Sequence, residues 1–158
     1  MSSPLLRRPR RLEVGIVIGR LPEEVFAWLS DYRHAARALD GVRRWEPLGK
    51  RTRGVGTRFA VEMATLGFAV ATELEIDRWE VPSTLGWHAV GGPVRVQGLW
   101  RLEPHPAGTD VRLAIDYEPP GGALGALGAR SLERIGRHRL HSGLEVMRDA
   151  LEDEDHRH

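Results

Sequence analysis

The chain has no cysteine, which excludes disulfide bonds, thiolate metal sites and a cysteine nucleophile. It has no apolar run approaching the ~20 residues that a membrane-spanning helix needs. It has no excess of either charge, because 23 basic and 22 acidic residues give a net charge of +1. We therefore predict no nucleic-acid partner and no membrane span. The missing cysteine and the missing signal-peptide pattern predict a cytoplasmic location.

What is present is an ordinary globular composition, with 41% hydrophobic and 28% charged residues in 158. This length predicts one domain with a real core. We place that domain at 12–151, between a flexible basic tail at 1–11 and a flexible tail at 152–158. Every basic residue except Lys50 is arginine, which we attribute to genome composition.

The most informative stretch is TDVRLAIDYEPPGGALGALG, from Thr109 to Gly128. Apolar and aromatic side chains alternate with polar ones as far as Tyr117, which predicts a strand with one buried face and one wet face. The PPGG run then ends the strand, since proline cannot donate to a sheet ladder and glycine permits a sharp turn. A long helix is predicted to follow.

The same alternation recurs along the chain with short turns between its segments, which predicts a curved antiparallel sheet of about seven strands. Two short helices are predicted after the first strand, at 21–31 and 32–39. The last helix is predicted at about 124–151, with a buried stripe that includes Ile135, Leu144 and Met147. The strands are predicted at 12–19, 42–48, 58–64, 68–79, 84–90, 94–103 and 109–117.

Five segments in this order resemble the START-like (SRPBCC) superfamily, and within it the polyketide cyclase/dehydrase and lipid transport group. They are LPEEVFAWLSDYRH (21–34), GVGTRF (54–59), VPSTLGWHAVGG (81–92), GLWRLEPHPAGTDV (98–111) and YEPPGG (117–122). The resemblance implies an α+β helix-grip fold, in which the curved sheet wraps around the long C-terminal helix. It also implies a deep cavity between sheet and helix that binds lipids, polyketides or aromatic molecules.

If the buried face of the sheet lines that cavity, its walls are almost wholly apolar, as ligand pockets commonly are. The alternative is that these side chains simply fill a core. The predicted ligand-binding residues are Phe59, Val61, Met63, Val70, Leu74, Trp87, Trp100, Leu113, Ile115 and Ile135.

Four polar residues are candidates for catalysis: Arg78, Tyr117, Thr72 and His138. By the resemblance, Arg78 falls near the arginine with which some cyclases polarise a carbonyl, and a guanidinium there would stabilise an enolate. A one-residue bulge would instead turn Arg78 outward to the surface. His138 is a candidate acid or base at the cavity mouth, with a solvated helix face as the alternative.

These observations leave three classes of function open. The first is a binding or carrier protein for a hydrophobic small molecule. The second is a cyclase/dehydrase that catalyses aldol closure and dehydration in the same cavity. The third is an interaction module, which the highly charged outer face of the sheet disfavours. We expect no metal and no cofactor, and a monomer or a homodimer joined through a sheet edge.

Overall fold

The computed structural model describes residues 10–39, 41–65, 68–91, 95–118 and 122–153, with the backbone alone described at 65, 68–70 and 122–132. The elements follow the predicted order. They are β1 (Arg10–Ile18), α1 (Pro22–Leu29), α2 (Tyr32–Ala38), β2 (Val42–Pro47), β3 (Arg58–Thr65), β4 (Phe68–Glu80), β5 (Thr84–Gly91), β6 (Val96–His105), β7 (Gly108–Tyr117) and α3 (Gly122–Asp153).

The seven strands form one antiparallel sheet in the order β1-β7-β6-β5-β4-β3-β2. From β2 to β7 each strand pairs with the next along the chain, while β1 closes the far edge by pairing with β7. The helices cover one face of the sheet, which we call the inner face. The predicted architecture, a curved antiparallel sheet around a C-terminal helix, is confirmed.

The two short helices begin where the sequence signals predict. Pro22 occupies the first turn of α1, and Glu23 and Glu24 place negative charge beside its amino end. Asp31 then caps α2, since its carboxylate accepts a 3.0 Å hydrogen bond from the backbone N–H of Arg33. Val25 and Phe26 of α1 are buried in the core.

The second half of α3 packs against the sheet near the end of β1, at what we call the closed end of the fold. Leu144, Met147 and Leu151 are buried there. The Nε–H of Arg20 donates to the carbonyl of Leu151 at 2.8 Å, a cation on the carboxyl end of a helix. The contact ties the connection after β1 to the end of α3.

Most boundaries shift by one or two residues from the prediction, and two of the shifts extend an element in a way that matters for the fold. The first strand begins at Arg10, inside the predicted basic tail, because Arg10 and Arg11 pair with Tyr117 and Asp116 of β7. Helix α3 begins at Gly122, so the glycine-rich turns before Ser131 are helical. None of the described helices is long and apolar enough to cross a membrane.

Candidate functional site

The inner face of the sheet is packed at one end and half-exposed at the other. At the closed end, under α1 and the second half of α3, Leu85, Leu102 and Val111 are buried. At the opposite end, which we call the open end, the inner-face side chains are only partly covered. They are Met63, Thr72, Trp87, Ala89, Trp100, Ile115 and Tyr117. The first half of α3 lies along this end, since Gly136 faces Leu12 of β1.

The predicted wall residues divide between these two environments. Phe59, Val61, Leu74 and Leu113 are each at most 4% exposed and belong to the packed core. Four others are half-exposed at the open end: Met63, Trp87, Trp100 and Ile115. The side chain of Val70 lies outside the described residues, although its backbone pairs with Met63.

Trp87 lies flat over the inner face at Gly98 of β6, where the sheet has no side chain. A Cβ atom built on Gly98, its partner in β6, would overlap the ring atoms Cε2 and Cζ2 of Trp87. Glycine here lets the indole approach the backbone of β6 closely. The ring forms part of the floor of the open end.

Arg78 does not point toward the inner face. Its strand pairs Ile76 with Trp87 but Arg78 with Gly86, so Asp77 is an extra residue that forms a β-bulge. The bulge reverses the alternation, so Arg78 lies on the outer face, 49% exposed, with its Nε 3.4 Å from a carboxylate oxygen of Glu80. Trp79 turns inward in its place and packs edge-on against Phe26 at 5.4 Å. The prediction that Arg78 faces inward as a catalytic residue is therefore wrong.

Tyr117 lies at the open end, where the end of β7 meets α3. Burial raises the pKa of the Tyr117 phenol, and the negative charge of Glu133 raises it further, while Arg10 and Arg137 act in the opposite direction. The hydroxyl therefore stays protonated at neutral pH and can donate a hydrogen bond. Arg10 and Glu133 form an ion pair at 3.7 Å beside it.

Thr72 lies on the inner face opposite Val61. Its hydroxyl donates a 2.6 Å hydrogen bond to the carbonyl oxygen of Gly91 in the neighbouring strand. The proton of the hydroxyl is therefore engaged with the backbone, and only the oxygen lone pairs are available to a ligand.

His138 and Ile135 lie together on α3, away from the other catalytic candidates. They line a depression of about 460 Å³ with Arg134, Arg139 and Ser142. Ile135 is 37% exposed, so it does not belong to the buried stripe in which the helical spacing placed it. The flank is near the end of β3, because Arg139 Nη1 lies 3.5 Å from the Cβ position of Gly41, which also faces the carbonyl of Ala64.

Trp45 is an inner-face residue that the sequence pattern did not reveal. It pairs with Val61, packs on Phe59 with ring centroids 6.1 Å apart, and its buried Nε1–H has no acceptor among the described residues. A buried indole N–H usually has a partner. A register shift between Val42 and Arg44 breaks the alternation of VRRWEP, so the pattern does not indicate that Trp45 points inward.

The outer face carries a continuous polar row that contains His88. The Nδ1 of His88 lies 2.6 Å from Asp77 and its Nε2 lies 4.0 Å from Glu75, which also accepts a 2.8 Å bond from Arg58. The half-exposed indoles are on the opposite side of the sheet, so His88 cannot join a site on the inner face. Among the residues with described placement, no group of His, Asp or Glu could hold a metal ion.

Comparisons with known proteins agree with this geometry. Residues 9–152 match the family model described as polyketide cyclase / dehydrase and lipid transport. The protein TTHA0849 of Thermus thermophilus is similar in structure, with a TM-score of 0.77, 22% identity, and 92% of this chain and 98% of that one covered.

An aromatase/cyclase, Zhui of Streptomyces sp. R1128, has a TM-score of 0.70 and 16% identity over 89% of this chain and 94% of its own. The di-domain ARO/CYC StfQ of the steffimycin biosynthetic pathway has a TM-score of 0.75 and 14% identity over 93% of this chain, and this chain covers 52% of its length. A comparison with curated protein sequences finds no match. At these identities, the structural likenesses show the fold.

Proposed function

Because the chain belongs to the polyketide cyclase / dehydrase and lipid transport family, we propose that it binds a hydrophobic small molecule between the open end of the sheet and the first half of α3. One observation carries the proposal. Apolar side chains of the inner face are buried at the closed end, whereas those at the open end, such as Trp87 and Trp100, stay half-exposed. Partly exposed apolar side chains on the inner face are the kind of lining that ligand sites commonly have.

Modest apolar burial is enough for such a ligand to bind. Micromolar affinity corresponds to about 8 kcal/mol. Burial of apolar surface at about 25 cal/mol per Å² supplies that from a few hundred Å², before the costs of association.

The test places a large side chain on the inner face at the open end. Ala89 lies on the inner face of the open end, opposite Leu74. We expect Ala89→Phe to abolish binding of Nile red, a neutral apolar dye, with binding measured by fluorescence titration. Ala60→Phe adds the same ring to the outer face, between Glu46 and Glu73, and is expected to bind as the unmodified protein does. Equal dye binding by all three proteins would contradict the proposal.

A cyclase-type activity is the second candidate, and Tyr117 is the residue that favours it. Its phenol is protonated at neutral pH, as tyrosines ordinarily are, and from the open end it would donate to the oxyanion that forms during aldol closure of a poly-β-ketone. Arg78 has no part in this candidate, because it lies on the outer face. His138 remains a candidate acid or base, though separate from Tyr117.

Product analysis tests the second candidate. We expect Tyr117→Phe to change the cyclised products formed from a poly-β-ketone substrate, while Nile red binding is unchanged. A binding protein without activity would give no cyclised product beyond the uncatalysed background, with either protein. The predictions of a cytoplasmic location, of no nucleic-acid partner and of a monomer or homodimer stay predictions.

A further inference from the structure

Among its described side chains, the first half of α3 carries two arginines that lack counter-ions, Arg134 and Arg137, with His138 beside them. Arg134, Arg137 and His138 have no ion pair with any carboxylate whose position is described. In contrast, the second half of the helix is paired or acidic, with His141 next to Glu145 at 3.4 Å and Arg148 next to Asp149 at 3.5 Å. Among the described side chains of α3, unpaired positive charge therefore lies at 134–137, in the part of the helix that runs along the open end of the sheet.

Arginines elsewhere on the described surface mostly have carboxylate partners. Arg11 binds Asp116 at 2.7 Å, Arg33 binds Asp31 at 2.7 Å and Arg58 binds Glu75 at 2.8 Å. Asp31 lies two residues before Arg33, whereas Asp116 and Glu75 lie directly opposite Arg11 and Arg58 on neighbouring strands. The cations on α3 differ from this pattern, so nearby negative charge would be favourable there.

The sheet supplies no negative charge on its inner side. In the described strands, all the carboxylates lie on the outer face, as the registers of Glu62, Glu73 and Asp116 illustrate. Glu133 is the acidic residue nearest to the cluster along α3, and it is paired with Arg10. A ligand at the open end therefore meets apolar walls and unpaired cations.

The depression of about 460 Å³ that Arg134, Ile135, His138 and Ser142 line is large enough for a small polar head. Arginine donates in a planar fork that suits a carboxylate, and a serine hydroxyl can add a further hydrogen bond. We infer that the ligand is an amphipathic acid, whose carboxylate binds Arg134 and His138 while its apolar part covers the half-exposed inner face. The inference rests on the proposed function and adds the chemical class of the ligand.

Two ligands of matched length test this inference while the natural ligand is unidentified. Decanoic acid and decan-1-ol have the same chain length and differ in charge at neutral pH. We expect the acid to displace Nile red with an apparent Kd about tenfold lower than that of the alcohol at pH 7.5 and low salt. The reason is that charge-assisted hydrogen bonds are roughly twice as strong as neutral ones. The preference should shrink as salt is added.

Substitutions then assign the preference to the cluster. The double variant Arg134→Gln/His138→Gln is expected to bind acid and alcohol about equally, with its affinity for the alcohol unchanged. Arg101→Gln is the control, because Arg101 of β6 is exposed on the outer face, opposite Arg112 of β7. This variant is expected to keep the tenfold preference.

The outcomes separate the two proposals. If Nile red and both decyl compounds fail to bind, the proposed function is wrong. If acid and alcohol bind the unmodified protein equally, binding stands and the inference of an acidic ligand is overturned. It is also overturned if the double variant weakens acid and alcohol by the same factor, because the cluster would then support packing of α3 rather than recognise charge.

Discussion

Single residues at the open end decide how much of the inner face stays uncovered. The indole of Trp87 can lie flat because Gly98 has no side chain, and the hydroxyl of Thr72 is turned onto the carbonyl of Gly91. Trp45 adds a buried N–H that has no acceptor in the described part of the chain. An unsatisfied buried donor costs about 1–3 kcal/mol. A ligand oxygen or a water at this atom would therefore stabilise the fold.

The glycine beneath Trp87 gives a direct prediction. Gly98→Ala places a methyl group inside the present position of the ring, so Trp87 must move and the free energy of unfolding should fall by about 1–3 kcal/mol. Gly91→Ala is the matched control, because a Cβ atom there meets nothing within 4 Å. Urea unfolding measures both variants. Equal changes in the two variants would show that the overlap with the ring of Trp87 sets no cost.

Asp31 gives a prediction with a defined pH window. Hydrogen bonds from the side chain of Arg33 lower the pKa of Asp31 from 3.8 to about 2. A carboxyl group with a lowered pKa stabilises the fold when ionised, so its contribution is present above about pH 4 and is lost as the pH falls toward 2. Asp31→Ala should cost about 1 kcal/mol at pH 7 through loss of the helix cap.

The difference in unfolding free energy between Asp31→Ala and the unmodified protein should therefore shrink between pH 4 and pH 2. Asp149→Ala, an exposed position on α3, is the control and should change stability by less than about 0.5 kcal/mol. A cost that stays constant down to pH 2 would mean that the ionised carboxylate is not what stabilises the cap.

At the scale of elements, two features set the shape of the site: the bulge in β4 and the close approach of α3 to α2. The bulge at Asp77 exchanges the faces of Arg78 and Trp79, so a charged residue lies on the outer face and an aromatic one packs in the core. The helices approach closely at Gly143, where a Cβ atom would lie 2.9 Å from the carbonyl oxygen of Ala38. Both features depend on backbone contacts between segments distant in sequence.

The contact between the helices predicts an order of stability. Alanine normally favours a helix over glycine by about 1 kcal/mol. Gly143→Ala should nevertheless destabilise the protein, because the new methyl group must push α3 away from the backbone of α2. At Gly136 a Cβ atom meets only Cδ1 of Leu12, at 3.1 Å, the end of a side chain that can rotate. Gly136→Ala should therefore unfold at a higher temperature than Gly143→Ala. The reverse order would show that α3 does not approach the backbone of α2 closely at Gly143.

At the scale of the whole molecule, the fold separates a packed end from an end that is incompletely covered. The near-zero net charge conceals an uneven distribution, with unpaired cations at the start of the described side chains of α3 and acidic residues toward its end. The outer face of the sheet is a polar surface of cross-strand ion pairs. In the proposed function, ligand recognition is thus confined to one end of one face.

Linkage between binding and folding gives a prediction at this scale. A ligand that binds only the folded protein should raise its free energy of unfolding by about 2.7 kcal/mol at one hundred times its Kd. Decan-1-ol should produce this increase in the unmodified protein and none in Ala89→Phe, as measured by urea unfolding at fixed ligand concentration. The same increase in both proteins would mean that the ligand binds somewhere other than the open end.

The sequence by itself determined the order of the elements, the antiparallel sheet and the inward residues of β5, β6 and β7, because alternation and turn residues are local properties of the chain. The tertiary structure alone decided that Arg78 points outward, that Trp45 points inward and that Ile135 is exposed on α3. Bulges and helix rotation depend on which distant segments pack together, and a single inserted residue reverses every later side chain of its strand. For that reason the family fold could be predicted from motifs, while the polar groups around the candidate site could not.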